Sequence, residues 1–541
     1  MEPHGGVTPQ TITSILAYRA AGDPTAPYLC TDDTVLSFGE VDDQAEALAA
    51  SLANLGLGPG DRIALVLPAW PEFAVSVFAA ARIGALVVPV DPRLRLPELR
   101  YALRHSGAAC AISAENAHGI DFLQIFEDFL VELPALSHLV TVGEEDLWYD
   151  DRIFQWEDLI SAGVGRDFAA PAASPGDPFA ILYTSGTSGK PRGVELTHAN
   201  LLHAANETSR AIDLAPGDVV AGVGALHHVF GLAPGLLGTA MSGASLVLRD
   251  DADAADALRA TRRHGATVLN GVPTDFANLL RDLQGEGGPP PALRLCLSSG
   301  APMNDDLARR IEEGFGVPLV IAYSLTEAAS TLAMSRPGDP VRKRHFTVGR
   351  PVGGTEVRVR ERDGTTLPRE SVGEIAVRGP GVMRGYYRQP LETAAATDPD
   401  GYLRTGDLGL VDEDGYLHLV GRREDVVIRR GFKVHPREVE DRIMAHPAVD
   451  RAAVVGVPDD ILGEAICACV VRVEGGVVTE PEIQAWSAAT LAGYKVPDLV
   501  SFMKELPLTD TGTVRRRELS RRLSATPPHA RAASRQATIQ D

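Results

Sequence analysis

The chain has 541 residues, 45% apolar and 23% charged, the make-up of a soluble globular protein too long for one compact core. Its 51 Lys and Arg against 72 Asp and Glu give a formal net charge of −21, which opposes non-specific attraction to nucleic acid. Five scattered cysteines, Cys30, Cys110, Cys296, Cys467 and Cys469, stand outside any zinc spacing and read as reduced core or strand residues, consistent with a cytoplasmic protein.

The opening MEPHGGVTPQ lacks the basic and apolar regions of a secretory signal. From Arg62 onward, short apolar runs alternate with Ala- and Leu-rich helical patterns: RIALVLP, EFAVSVFAAARIG, ALVVPV, RLPELRYALRHS. Such alternation predicts parallel α/β units. The most apolar stretch, FAVSVFAAARIGALVVPV from Phe73, carries Arg82 and Gly84. It is expected to divide into a helix and a buried strand, and no membrane span is predicted. The alternation returns in SLVLRD, ADALRATRRHG, TVLNGVP and DFANLLRDL.

Beyond about Pro340 the texture changes to strands with Gly turns, TEVRVRERDGTTLP, GEIAVRGP and GLVDEDGYLHLVG, which predicts a β-rich subdomain on the α/β body. From Arg422 follow a helix (EVEDRIMAHP), two strands (VDRAAVVGVPD and EAICACVVRV) and another helix (EPEIQAWSAATLAG), a small α+β domain. The expected fold class is therefore α/β: a large N-terminal domain over residues 1–423, a small C-terminal domain over 424–522, and a tail over 523–541 with little to bury.

The densest chemistry lies at residues 179–198, FAILYTSGTSGKPRGVELTH. An apolar strand runs into Thr184, Ser185, Gly186, Thr187, Ser188, Gly189 and Lys190. Hydroxyls and Gly amides at a strand end can cradle phosphate oxygens, and a Lys adds a point charge. Only two residues separate Gly186 from Gly189, and Pro191 follows the Lys, so this is not a Walker A loop.

With SSGAPM (298–303), YSLTE (323–327), GEIAVRGPGVMRGYY (373–387), YLRTGDLG (402–409) and GRREDVVIRRGFKVHPREVE (421–440), this loop resembles, in order and over nearly the whole chain, the motifs of the AMP-forming adenylating enzymes. That family comprises acyl-CoA synthetases, adenylation domains of peptide synthetases and luciferases. The resemblance implies an ATP- and Mg²⁺-dependent ligase that adenylates a small or aromatic carboxylic acid. It then passes the acyl group to a thiol, coenzyme A above all, or a carrier protein in trans.

It also implies roles for individual residues. Lys190, with the loop from Thr184 to Gly189, would hold phosphates. Thr326 and Glu327 would follow a strand, with Glu327 the Mg²⁺ ligand, since a carboxylate near a triphosphate needs a cation between them. Ser299, Gly300, Ala301, Pro302, Tyr323 and Ser324 would line the adenine slot. Asp407 would accept from the ribose hydroxyls, beside Arg422. His228 in ALHHVFGLAPG would stand by the acyl group, with His227 as its structural neighbour, and Glu424 would be the hinge.

Two departures stand out. Where the family has a catalytic lysine in a TGK loop, this chain reads Thr511, Gly512, Thr513. The missing cation could come from Arg515, Arg516 or Arg517, or from Lys433; otherwise adenylation is slow or absent and the chain only binds nucleotide. Ser299 and Ser324 also stand where family members with bulky acids commonly have Gly, which is expected to narrow and polarise the acyl tunnel. The two departures leave a further alternative open: a diazotase-like enzyme that activates nitrite, a small anion, with AMP and acts on an aromatic amine.

Overall fold

In the computed structural model the described residues are 9–144, 150–184, 191–222, 225–249, 254–283, 285–430, 432–459, 462–509 and 512–524. They gather into two compact units. One draws on Met1–Ser299, Arg309–Glu356 and Val377–Leu403, the other on Gly300–Ala308, Val357–Ala376 and Arg404–Asp541.

The first unit holds two large, mostly parallel sheets. Among the described residues one has nine strands, whose parallel part runs Leu319–Leu325, Leu295–Ser298, Val268–Gly271, Val219–Ala221, Ser245–Val247, Pro27–Cys30. The other has eight, and its parallel part runs Pro178–Thr184, Leu86–Pro89, Arg62–Val66, Cys110–Ala114, His138–Val142, Ile153–Gln155. Arg192–Thr197 and then Gly385–Tyr386 add antiparallel strands beyond Pro178–Thr184. Near-continuous Val, Ile, Leu and Ala runs suit strands covered on both faces. Side chains of the eight-stranded sheet join Phe122, Phe126 and Phe129 of the helix Phe122–Glu132 in one buried cluster.

The apolar stretch from Phe73 divides as expected. The helix Pro71–Ile83 stops at Gly84, which takes φ 73°, a left-handed conformation that costs Gly little, and the strand Leu86–Pro89 follows. Arg82, which argued against a membrane span, pairs with Asp42 and lies 3.6 Å from Glu46. No helix among the described residues is long and apolar enough to cross a membrane.

The second unit carries the predicted hairpin strands, with Gly373–Arg378 beside Leu403–Val411 and Leu417–Arg422. It also carries a five-stranded sheet centred on Gly463–Arg472, flanked by Val449–Asp459 and Leu499–Met503. The helices Pro436–Met444 and Glu480–Ala488 fall where their sequence patterns put them. Cys467 and Cys469 alternate on one face of the central strand and are buried with Ala453, Val455, Leu506 and Leu519. They are packing residues.

Candidate active site

Ligands of open α/β sheets bind beyond the carboxyl ends of the strands. The sequence-predicted residues of the first unit lie there: Thr184 closes Pro178–Thr184, Ser299 follows Leu295–Ser298, and Tyr323 and Ser324 end Leu319–Leu325. Thr326 and Glu327 form the short turn Thr326–Ala328 that comes next. Ser185, Gly186, Thr187, Ser188, Gly189 and Lys190 lie outside the described residues.

The two ends of that loop are nevertheless defined. Thr184 pairs with Arg192 across the strands that enter and leave it. At the entrance, the Tyr183 hydroxyl donates to the Ala102 carbonyl at 3.2 Å and lies 2.8 Å from His105 Nδ1. At the exit, the Tyr101 hydroxyl donates to the Pro191 carbonyl at 3.1 Å. One helix, Leu96–Ser106, thus holds both ends.

The Glu327 carboxylate accepts from the Tyr386 hydroxyl at 2.9 Å through Oε1, and its backbone carbonyl accepts from the Met383 amide at 2.9 Å. The Arg192 guanidinium lies over the Tyr386 ring, 4.8 Å from its centroid. Immediately after the turn, Ala329 and Ser330 take φ 55° and 118°, buried and without Gly's freedom, a strained connection of the sort found at functional sites.

No group of three or more His, Cys, Asp or Glu among the described residues could hold a metal by itself. A single half-buried carboxylate fits Mg²⁺ only where phosphate oxygens supply further ligands, as at nucleotide sites.

The two serines keep their hydroxyls to the protein. Ser299 Oγ donates to the Ala322 carbonyl at 3.1 Å, and Ser324 Oγ lies 3.2 Å from Ser330 Oγ. They add bulk, while much of the polarity expected of them is spent within the fold.

His228 follows the strand Val219–Ala221 and is half-buried, its Nε2 shielded from solvent with no hydrogen-bond partner among the described residues. Burial, aided by His227 and Arg93 against Asp91, pushes its pKa down to about 3. His227 Nε2 stands 3.4 Å from Asp91 Oδ2, and Arg93 Nε donates to Asp91 Oδ1 at 3.0 Å. Burial works to raise the Asp91 pKa, but His227 and Arg93 outweigh it and hold the carboxyl well below its usual range. His198, whose Nδ1 accepts from the Ile12 amide at 3.3 Å, is likewise pushed down to about 4, chiefly by burial.

A histidine with a folded pKa below its unfolded value binds its proton more readily when unfolded. Stability is therefore lost as pH falls from about 6.5 toward 3, at up to about 1.4 kcal/mol per pH unit for each such residue. Urea unfolding of His228→Gln should show a shallower loss between about pH 6 and pH 4 than the parent protein. Parallel slopes would contradict a neutral His228.

In the second unit, Asp407 is buried on Leu403–Val411 and faces Arg422 of the neighbouring strand, Oδ1 to Nε at 3.2 Å. Its amide donates to Thr405 Oγ1 at 3.1 Å, and that hydroxyl donates to the Ile375 carbonyl at 2.8 Å, which ties this part of the strand to its neighbour. Gly300 takes φ 85° at the start of the exposed or half-buried stretch Gly300, Ala301, Pro302, and Arg437 Nη2 donates to the Met303 carbonyl at 2.6 Å.

Thr513 sits in a local turn. Its amide donates to Thr509 Oγ1 at 3.1 Å and its carbonyl accepts from the Thr509 amide at 2.8 Å. Thr511 lies outside the described residues. Of the arginines weighed as substitutes, Arg516 is held by Glu440 and Asp425, Arg517 by Glu424, and Arg515 Nε donates to the Leu508 carbonyl. Lys433 is exposed on the short strand Phe432–Val434 and makes no ion pair with a described residue.

Sequence reasoning missed Asp91, Tyr101, His105, Arg192 and Tyr386. The last was quoted inside a motif but given no chemical role; its place at the end of that motif was the available signal.

Phosphate-loop ends and an acidic turn on the parallel sheets of the first unit, and an Asp–Arg pair on an antiparallel hairpin of the second, fit a nucleotide-dependent ligase of the adenylate-forming class. The comparisons agree: the AMP-binding enzyme family matches residues 16–387, and the AMP-binding enzyme C-terminal domain matches 438–513. The chain belongs to this family and is an AMP-forming acid–thiol ligase of the acyl-CoA synthetase type.

It is 34% identical to sulfoacetate–CoA ligase of Cupriavidus necator, over 94% of this chain and 97% of the relative. It is also 34% identical to the salicyl-AMP ligase / salicyl-S-ArCP synthetase of Mycobacterium tuberculosis, over 90% and 85%. The crystal structure of ATP-bound MatB from Rhodopseudomonas palustris superposes with a TM-score of 0.85 at 29% identity, covering 95% of this chain and 99% of that one. These relatives lend no support to the nitrite-activating reading or to a binding protein without catalysis.

Proposed function

We propose that the protein uses Mg²⁺ and ATP to adenylate a small or aromatic carboxylic acid and then forms the coenzyme A thioester. The acid's carboxylate attacks the α-phosphorus of ATP and pyrophosphate leaves. The thiol then attacks the acyl carbonyl and AMP leaves. Lys190 and the hydroxyl-rich loop meet the phosphates, Glu327 ligates Mg²⁺, Asp407 with Arg422 takes the ribose, and Glu424 is the hinge between the domain of residues 1–423 and that of 424–522.

The observation that carries this reading is the Glu327 turn, held beside the strand that leaves the phosphate loop by way of Tyr386 and Arg192. A small or aromatic acid is supported by the bulk of Ser299 and Ser324 and by His228. Kept neutral and unpaired among the described residues, His228 offers a short substrate one hydrogen-bonding atom and no charge. Sulfoacetate and salicylate, named for the two relatives, are acids of this size.

The test is pyrophosphate release from Mg²⁺ and ATP across a panel of short, sulfonated, aromatic and long-chain acids, with mass analysis of the product formed with coenzyme A. Release that depends on a short or aromatic acid and yields a thioester is expected. Release that long-chain acids drive best, or a product that stays an adenylate with coenzyme A present, would overturn the substrate or the acceptor respectively.

A further inference from the structure

The segment GEIAVRGPGVMRGYY was singled out by sequence, yet the reaction above gives it no task. In the structure its last residues brace the acidic turn. Gly385 and Tyr386 pair with Glu195 and Val194 of the strand leaving the phosphate loop. Asn200 Nδ2 donates to the Pro380 and Val382 carbonyls at 2.7 and 3.0 Å, and the Tyr386 amide donates to Thr393 Oγ1 at 2.8 Å. Gly381 runs so close to the turn that a Cβ there would stand 2.9 Å from the Ala328 carbonyl oxygen.

We propose that Tyr386 is a positioning residue for the Glu327 carboxylate, its hydroxyl fixing one oxygen so that the other is presented to the divalent cation of the nucleotide. The proposal rests on the reading of Glu327 as the metal ligand. Three features support it together. The phenol is buried and its hydroxyl meets Oε1 at 2.9 Å. No other described residue makes a hydrogen bond or ion pair with the Glu327 side chain in the structure. The ring is clamped between its own strand pairing and the Arg192 guanidinium at 4.8 Å, so the hydroxyl cannot wander.

A carboxylate free to rotate would lose part of its affinity on ordering around a cation, and a fixed one does not. Partners that orient metal-binding groups in this way are worth about ten- to a hundredfold in metal affinity. Arg192 also places a positive charge one residue beyond Pro191, so the same ring links the loop's exit to the acidic turn.

The experiment titrates Mn²⁺ into the full-length protein with a non-hydrolysable ATP analogue, and reads bound metal by electron paramagnetic resonance. The set comprises the parent protein, Tyr386→Phe, Glu327→Gln and the control Tyr387→Phe, whose hydroxyl donates to the Ser106 carbonyl at 3.4 Å and to no other described residue. Tyr386→Phe is expected to weaken Mn²⁺ binding about tenfold, Glu327→Gln more, and Tyr387→Phe not at all. p-Aminophenylalanine at 386, which restores a donor on the same ring, should recover most of the loss and separates positioning from damage to the fold.

Mn²⁺ binding by Tyr386→Phe equal to that of the parent, with Glu327→Gln weakened, overturns the role of Tyr386. Glu327→Gln binding as the parent does overturns instead the metal reading on which the proposal stands. A loss in Tyr386→Phe that p-aminophenylalanine fails to restore assigns the effect to packing and also overturns it.

Discussion

Lys433→Ala should slow acid-dependent pyrophosphate release about a hundredfold, with little change in the ATP concentration for half-maximal rate. The reaction brings an anionic carboxylate against a phosphate, and a cation placed for the transition state is worth about 2.7 to 4 kcal/mol. Thr513 cannot supply that charge. Of the arginines behind it, Arg516 and Arg517 already pair with Glu440, Asp425 and Glu424, and Arg515 is tied through Nε to the Leu508 carbonyl of its own turn.

Lys433 is exposed, without an ion-pair partner among the described residues, and carries its charge on a flexible four-carbon stem. Single-turnover formation of the acyl-adenylate is the measurement. Thr513→Lys placed on the Lys433→Ala background should return much of the rate, since it restores the family's own cation. A Lys433→Ala protein that makes adenylate normally but transfers it slowly to coenzyme A would assign the lysine to the second half-reaction.

These residues show how far a sequence can be read. The parallel architecture was legible because its strands are continuous apolar runs and its helices are closed by left-handed Gly, as at Gly84. The motifs drew attention to Glu327 and Asp407, and the structure puts the first in the turn after Leu319–Leu325 and the second within the strand Leu403–Val411. Whether Arg516 was available was not, since its partners Glu440 and Asp425 lie 76 and 91 residues away along the chain. The same holds for Tyr386, 59 residues from the carboxylate it meets, and for the Ser299 hydroxyl, which turns to a backbone carbonyl 23 residues on. Periodicity and composition report the face a residue presents, and contacts of that separation are set only when the sheets assemble.

Arg516→Met should destabilise the second unit by about 3 to 5 kcal/mol, the range for removing one member of a buried ion pair. The guanidinium meets Glu440 with both terminal nitrogens, at 2.5 and 3.0 Å, and Asp425 through Nε at 3.1 Å. Glu440 is buried in the helix Pro436–Met444, and its Oε1 also accepts from the Val454 amide at 2.6 Å, so it cannot swing out to water when the arginine is lost. Methionine fills similar volume, and the penalty is therefore chiefly electrostatic: the Glu440 and Asp425 carboxylates are left without their shared cation.

Removing both charges should cost less than removing one, so Arg516→Met with Glu440→Gln should be more stable than Arg516→Met alone. Hydrogen exchange across Val449–Asp459 and Gly463–Arg472 reads the result locally. Faster exchange there in the single variant, partly reversed in the double, is expected. Unchanged exchange in Arg516→Met would mean that the arginine is not committed to this cluster, and would return it to the candidates for the missing catalytic charge.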